Sequence, residues 1–197
     1  MKSIFLFIIC IFLLSVNKNF AQKQNDMIII SDMDNTYKKT KGFIGLIDLW
    51  NIFFTKKSYD DIPKLYKNLQ AQGVKIYMLT NQTKFSRKNT LKQFKKDGFT
   101  PDTLIVRRLF EKGVKHKTKN IEYLISKNET SKYVLIGDNL GEDSEIYQSM
   151  EKKYPDRISA IFIRPLKKKK QVPQEQYKYT NSEDIRIVVY SLMYPDK

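Results

Sequence analysis

The sequence predicts an α/β fold in which one parallel sheet is covered by helices on both faces. Short apolar runs rich in β-branched residues recur along the 197 residues, and helix-like stretches separate them. Such runs are typical of strands that are buried on both faces of a sheet. Their alternation with helices favours a three-layer architecture, and the length fits one domain. The predicted strands are residues 27–30, 74–79, 104–106, 133–136 and 158–163.

The stretches between these runs predict four helices. Asp61-Ile62-Pro63 is typical of a helix start with proline in the first turn, and this helix is expected to reach Gln72. The second helix is expected to end at Gly98. The apolar positions of the second, third and fourth helices are Phe85, Leu91 and Phe94; Ile121, Leu124 and Ile125; and Ile146, Tyr147 and Met150. Residues 182–193 fit either a strand or a helix, because their apolar positions match both periods.

The chain begins with a segment typical of an exported protein. Lys2 precedes an almost purely apolar run over residues 4–16, and Ala21 follows a short polar stretch. A run of this length is short for a membrane span and predicts a signal peptide over residues 1–21, with an uncleaved anchor as the alternative. We therefore expect a periplasmic or secreted protein in which residues 22–197 form one domain.

The composition of residues 22–197 excludes several kinds of chemistry. The one cysteine, Cys10, lies in the predicted signal, so we expect neither disulfides nor a thiol nucleophile. The one histidine, His116, excludes multi-histidine metal sites and argues against a serine–histidine–aspartate hydrolase. Because it lies in a polar stretch, we expect His116 to be exposed and assign it no catalytic role. The net charge of +15 favours anionic partners, although lysines spread over the whole surface would give the same value.

Two further segments allow more than one interpretation. Residues 40–58 are rich in large apolar side chains and predict a core-packing helix, with a lipid-touching surface as the alternative. The run of four lysines over residues 167–170 predicts a solvated loop, with contact to anionic head groups as the alternative.

Two carboxylates, those of Asp32 and Asp34, lie directly after the first predicted strand. Open α/β sheets bind their ligands at this end of the strands. Because close carboxylates repel each other, the pair is expected to hold a cation or share a proton, unless it only forms an Asp-rich turn. The first carboxylate can attack phosphorus, and the second can exchange protons with the leaving group and water.

Polar residues also follow two later strands. Thr80 and Asn81 supply a hydroxyl and an amide that can bind a phosphate oxygen. Gly137 is expected to allow an unusual backbone angle, and Asp138 and Asp143 follow it. A carboxylate cluster without histidine or cysteine prefers a hard cation, so we predict a Mg²⁺ site. A lysine from the basic cluster can neutralise phosphoryl charge; the candidates are Lys115, Lys117 and Lys119.

This ordered set resembles the haloacid-dehalogenase-like phosphohydrolases. The resemblance implies a Rossmann-like three-layer fold. It also implies a minimal cap domain or none, because the segment between Thr36 and Thr80 is too short for a large one. The matching residues are Asp32-Met33-Asp34-Asn35-Thr36, Thr80-Asn81, a downstream lysine, and Gly137-Asp138 with Asp143.

The resemblance also implies a role for each matching residue. Asp32 is the expected nucleophile that forms an aspartyl-phosphate, and Asp34 is the general acid and base. Thr80 binds the phosphoryl group, and Thr36 and Asn81 are assigned to substrate binding as well. The expected Mg²⁺ ligands are the Asp32 carboxylate, the backbone carbonyl of Asp34, Asp138 and Asp143.

Longer segments look like the catalytic domain of the actin-patch-protein type of phosphatidate phosphatase. They are residues 61–66, 135–138, 143–147, 154–158 and 160–164. His116-Lys117 matches the His-Lys pair of that family, which selects Lys117 as the phosphoryl-stabilising lysine. The chain departs from the family at Asn35, where a second aspartate is frequent. It also reads Thr80-Asn81-Gln82-Thr83 where the family's second motif usually reads Ser-Asn-Ser-Pro.

We therefore expect an exported, Mg²⁺-dependent phosphatase that converts phosphatidate to diacylglycerol and phosphate and contacts anionic membranes peripherally. The alternative is a soluble phosphomonoesterase of broad specificity, because an open site does not discriminate lipid from other phosphate esters. A third interpretation is a non-catalytic module that binds anionic membranes through residues 40–58 and 167–170. No specific nucleic-acid partner is expected.

Overall fold

The computed structural model describes residues 26–40, 57–166 and 170–195. The predicted signal peptide, nearly all of the apolar segment 40–58 and three of the four lysines in the run 167–170 lie outside the described residues. In the part of the chain that is described, no helix has both the length and the hydropathy needed to span a bilayer.

One parallel sheet of six strands forms the middle layer, with the strand order β3-β2-β1-β4-β5-β6. This is the order of a Rossmann-like sheet: β2 and β3 are added on one side of β1, and β4, β5 and β6 on the other, so the strand order reverses between β1 and β4. The predicted fold class is therefore confirmed. The strands are β1 Met27–Ser31, β2 Lys75–Thr83, β3 Thr103–Arg107, β4 Lys132–Asp138, β5 Ile158–Arg164 and β6 Tyr177–Lys178.

Helices cover both faces of the sheet because side chains along each strand alternate between two cores. In β1, Met27 and Ile29 face one core, and Ile28 and Ile30 face the other. The first core is completed by α1 Ile62–Ala71, α2 Arg87–Lys96 and α5 Ser182–Met193. The second is completed by α3 Gly113–Lys127 and α4 Asp143–Lys153. Between β1 and β2 the structure describes α1 and leaves residues 41–56 undescribed, so the expectation of a minimal cap or none stays a prediction.

The structure decides the ambiguous segment over residues 182–193 in favour of a helix. Asn181 caps α5: its side chain accepts from the backbone N–H groups of Glu183 and Asp184, and the Asp184 side chain accepts from the Asn181 N–H. This reciprocal capping satisfies donors that a helix start otherwise leaves without partners. Residues 177–178, for which no strand was predicted, form β6; a two-residue strand is too short to give a periodic signal.

The second predicted helix is wrong at its start. Phe85 lies in a separate 3₁₀ turn, Lys84–Ser86, and α2 begins only at Arg87. Phe94 packs in the core, whereas Phe85 and Leu91 are exposed. An apolar spacing compatible with a helix therefore does not show which of its side chains are buried.

Candidate active site

Three buried carboxylates meet at the carboxyl ends of β1 and β4, where the order of the strands along the sheet reverses. Asp32 follows β1, Asp138 is the last residue of β4, and Asp143 is the first residue of α4. Each is about nine-tenths buried or more, and each offers one oxygen to a group whose members all lie within 4.8 Å of one another. The parallel pairing of β1 with β4 brings these groups together, and the backbone N–H of Asp32 donates to the Ile136 carbonyl at 2.9 Å.

Lys117 reaches the carboxylates from α3 on the second face of the sheet. Its Nζ donates to Asp32 Oδ1 at 2.7 Å and to Asp143 Oδ1 at 2.5 Å, and the side chain is 2% exposed. The structure thus brings Lys117 to the carboxylates, while Lys115 and Lys119 are exposed. The helical period explains the difference, because residues two apart point in different directions around a helix.

The electrostatics of the cluster depart strongly from those of groups in water. Burial raises the pKa of Asp32 well above its usual value against the opposing effect of Lys117, and the nearby carboxylates raise it further. Burial and the Asp143 carboxylate raise the pKa of Asp138 to about 6. Burial lowers the pKa of Lys117, but the Asp143 and Asp32 carboxylates outweigh it and the net pKa is raised. Lys117 is therefore a cation held between acceptors.

The cluster fits a hard divalent cation. With all three carboxylates ionised, one ammonium leaves two negative charges uncompensated in a buried site. Oxygen donors alone, without nitrogen or sulfur, suit Mg²⁺. The carboxylates of Asp32, Asp138 and Asp143 were each predicted as ligands. No contact of the Asp34 backbone carbonyl is described, so its role as a ligand stays a prediction.

Gly137 lies against Asp143 so closely that no side chain fits. A Cβ atom on Gly137 would lie 2.6 Å from Asp143 Oδ2 and 2.9 Å from Tyr147 Cε2. The expectation of an unusual backbone angle at Gly137 is wrong, since the described glycines with positive φ are Gly73 and Gly98. Gly137 is required for space and not for its φ.

The predicted general acid and base, Asp34, is held at the solvent-accessible side of the site. Gln82 Nε2 donates to both of its carboxylate oxygens, at 3.0 and 2.8 Å, and Lys38 Nζ lies 3.2 Å from Oδ1. Thr90 Oγ1 in turn donates to Gln82 Oε1 at 2.9 Å. The side chain of Asp34 is 28% exposed, so it can exchange protons with water. Asn35, the departure from the related family, adopts φ +58°, which asparagine tolerates better than most residues.

The three residues predicted to bind substrate lie in different surroundings. Thr80 is fully buried, and its Oγ1 accepts from the Gln82 N–H at 3.1 Å. Asn81 is exposed and lies beside Gly113, at the start of α3. Thr36 is fully buried, and within the described residues its Oγ1 makes no hydrogen bond. The roles of all three in substrate binding stay predictions.

His116 is buried, so the expectation that it is exposed is wrong. It is 2% exposed, its Nδ1 lies 3.3 Å from Glu111 Oε2, and burial lowers its pKa. Because it lies on the inward face of α3 next to Lys117, its packing helps to fix the helix that carries Lys117.

Sequence reasoning missed two supports of the site. The first is Gln82, which donates to Asp34. The sequence could have indicated it, because alternate residues of a strand share a face and Gln82 is two residues after Thr80, a predicted site residue. Tyr66 of α1 donates to Ser31 Oγ at 2.7 Å, and Ser31 Oγ donates to the Asp32 carbonyl at 2.9 Å. No local pattern could reveal that second chain of hydrogen bonds, because it joins residues on two separate elements.

Comparison with known proteins gives one family and the fold. The family model described as "phosphatidate phosphatase APP1, catalytic domain" matches residues 27–165, which is more than two thirds of the chain. No curated protein matches the chain significantly. Among solved structures, apo phosphoserine phosphatase aligns with a TM-score of 0.53 at 12% identity, covering 83% of this chain and 97% of that one. An identity this low shows the shared fold alone.

Two structures of the Pnkp1/Rnl/Hen1 RNA repair complex align more weakly. Their TM-scores are 0.48 and 0.49, at 17% and 18% identity, and the alignments cover 79% and 73% of this chain. They cover 47% and 44% of those chains, so this chain spans about half their length.

Proposed function

The chain belongs to the family of the phosphatidate phosphatase APP1 catalytic domain, and on this premise we propose that it is an exported, Mg²⁺-dependent phosphatase that acts on phosphatidate through an aspartyl-phosphate. Membership makes it a phosphatase, a hydrolase of phosphoric monoesters. Family membership therefore argues against the third interpretation, a non-catalytic module that binds anionic membranes. Substrate, metal and export belong to the proposal.

The observation that carries the proposal is the buried cluster of three carboxylates bridged by Lys117. Buried ionised carboxylates are costly unless cations or donors compensate them, so a purely structural role gives no reason for placing three together. A site for a phosphoryl group and its counter-ion gives such a reason.

Asp32, Asp138 and Asp143 would hold the metal. A bound Mg²⁺ would neutralise phosphate charge and reduce the repulsion between the carboxylates and the anionic substrate. Lys117 adds a second, permanent positive charge at the same place, which favours charge developing on the phosphoryl oxygens.

Asp32 is the proposed nucleophile. One of its carboxylate oxygens forms a bond to phosphorus as the bond from phosphorus to the ester oxygen breaks, and Asp34 gives a proton to the departing oxygen. Water then attacks the phosphorus of the aspartyl-phosphate while Asp34 takes a proton from the water. The bond from phosphorus to the Asp32 oxygen breaks, which regenerates the Asp32 carboxylate and releases inorganic phosphate. The two roles fit the surroundings of the two groups, since Asp32 is 5% exposed and contacts Lys117, whereas the Asp34 side chain is 28% exposed and can exchange protons with water.

Support for a lipid substrate and for export comes from the family and the chain's charge. The family model carries the name of a phosphatidate phosphatase. The net charge of +15 favours anionic surfaces, and the apolar run over residues 4–16 favours export.

The test is phosphate release by the purified protein with Mg²⁺, from phosphatidate in mixed micelles and from p-nitrophenyl phosphate. Asp32→Asn should abolish release from both. The matched control is Asp26→Asn, which removes a carboxylate at the opposite end of β1, where Asp26 is exposed and lies 3.8 Å from Lys75. It should leave release unchanged, because exposed ion pairs of this kind contribute little.

The outcomes separate the candidates. Release from phosphatidate well above release from the soluble ester supports the proposal, and similar rates on both support the broad-specificity phosphomonoesterase. Equal release by Asp32→Asn and the wild type would show that Asp32 is not the nucleophile. Release that persists unchanged after chelation of divalent cations would exclude the proposed metal.

A further inference from the structure

Two exposed apolar tips lie at the edge of the sheet that carries the active site. The first is Leu109-Phe110, in the loop between β3 and α3, where Leu109 is 52% exposed and Phe110 93%. The second is Phe85, 76% exposed, in the 3₁₀ turn after β2. Single exposed apolar residues are common in soluble proteins, but two adjacent large ones, with a third after the neighbouring strand, need a reason.

Folding stability gives no reason for Phe110. Its φ is +67°, in the left-handed region, which costs a residue other than glycine about 1–2 kcal/mol. The exposed ring adds no core packing in return. Neither packing nor backbone preference therefore favours phenylalanine at this position, and a contact outside the chain would.

Exposed cations flank both tips along the sequence. Residues 83–96 contain no acidic residue, and Glu111 is the one acid between residues 103 and 121. Glu111 is engaged by His116, at 3.3 Å. The exposed cations of these two segments include Lys84, Arg87, Lys88, Arg108, Lys112 and Lys115.

The tips are connected to the active site through short covalent and hydrogen-bonded paths. The loop that carries Phe110 leads directly into α3, on which Lys117 contacts Asp32. Arg107, the last residue of β3, joins the loop to β2: its Nε donates to the Asn81 carbonyl at 2.8 Å, and its Nη1 donates to the Glu111 carbonyl. A surface that contacts the tips is therefore next to the edge where substrate must arrive.

We propose that the apolar tips and their surrounding cations dock the protein on an anionic lipid bilayer, with Phe110 and Leu109 entering the boundary between head groups and acyl chains. This deepens the proposed function, and its biological setting rests on that function. A bilayer gains from both features, since apolar side chains partition into it while cations attract its phosphates. A single-stranded nucleic acid can stack a base on Phe110 but offers no apolar phase for Leu109, whereas a bilayer accommodates both side chains.

The experiment is co-sedimentation of the purified full chain with two kinds of vesicle, one of phosphatidylcholine alone and one of equimolar phosphatidylcholine and phosphatidylserine. Phosphatidylserine is anionic and is a phosphodiester, so a monoesterase does not consume it. We expect stronger binding to the anionic vesicles. Phe110→Gly should weaken that binding about tenfold, the factor expected for removing one phenylalanine side chain from an apolar contact. Phe110→Leu should retain most of it.

The variants are chosen so that misfolding does not decide the result. Glycine at position 110 relieves the positive φ, so Phe110→Gly should unfold no more easily than the wild type. The matched control is Ile187→Ser, which removes an exposed apolar side chain from α5, where Ile187 is 58% exposed. It should leave vesicle binding unchanged.

Activity separates this inference from the function on which it rests. Phe110→Gly should hydrolyse p-nitrophenyl phosphate at the wild-type rate and lose activity only on phosphatidate vesicles. The docking inference is overturned if the wild type does not prefer anionic vesicles, if Phe110→Gly binds them as the wild type does, or if Ile187→Ser weakens binding equally. Absence of any phosphatase activity would overturn the proposed function and leave the sedimentation result standing.

Discussion

Replacing Gly137 by alanine places a methyl group against the Asp143 carboxylate. The added Cβ would lie 2.6 Å from Oδ2 and 2.8 Å from the Cβ of Asp143, whereas ordinary contacts begin at 3.4 Å. Asp143 must therefore move by about 0.8 Å from Gly137, or the strand must yield. Tyr147, whose ring would be 2.9 Å from the same methyl group, blocks one direction of escape.

The displacement has two measurable consequences. Forcing a methyl group into a packed interior costs about 1–3 kcal/mol of unfolding free energy. Because Asp143 is a proposed metal ligand and accepts from Lys117, a shift approaching 1 Å should lower kcat by up to about 100-fold. The concentration of Mg²⁺ needed for half-maximal activity should rise as well.

Gly141→Ala is the matched control for this substitution. Gly141 lies in the same loop, its φ is not positive, and no atom lies within 4 Å of an added Cβ. Urea unfolding and phosphate release as a function of Mg²⁺ concentration would be measured for both variants. If Gly137→Ala and Gly141→Ala had the same stability, kcat and Mg²⁺ requirement, the steric reasoning about Gly137 would be refuted.

Three further predictions concern the groups around the cluster. Gln82→Ala should lower kcat about 10- to 100-fold, because Asp34 loses a hydrogen-bond partner that supports it. Gln93→Ala is the control and should preserve kcat in the folded protein, since Gln93 belongs to a separate network with Ser58. Equal kcat for the two variants would contradict the role of Gln82. With divalent cations chelated, Lys117→Met should lower the free energy of unfolding by about 3–5 kcal/mol, since it leaves buried carboxylates uncompensated. Added Mg²⁺ should restore part of this loss. A urea midpoint equal to that of the wild type would refute the prediction. Asp138 has a folded pKa of about 6 against an ordinary value of 3.8, so in metal-free protein its stabilising effect is present below about pH 4 and is lost as the pH rises through about 6. The stability of Asp138→Asn relative to the wild type should therefore rise as the pH is raised across that interval. If the difference in unfolding free energy between the two proteins stayed constant with pH, the raised pKa of Asp138 would be excluded.

The strands, the helices and the order of the polar strand ends could be predicted because each depends on neighbouring residues. Apolar runs located β1 to β5 to within a few residues, and Asp32, Asp138 and Asp143 followed from the rule that ligands bind at the carboxyl ends of parallel strands. Prediction failed where two periods competed, as in residues 182–193, or where the element was as short as β6. It also failed at Phe85, because apolar spacing does not distinguish a separate 3₁₀ turn from the first turn of the helix that follows it.

By itself, the sequence determined the α/β class, the family resemblance and the carboxylates available for chemistry. Only the tertiary structure decided which groups meet: that Lys117 bridges Asp32 and Asp143, that Gln82 holds Asp34, and that Gly137 is needed for space. The physical reason is that local pattern fixes the faces of strands and helices, whereas a contact between residues 85 positions apart depends on how those faces pack. The same packing left Phe110 and Phe85 outside the core, at the edge where a substrate would approach.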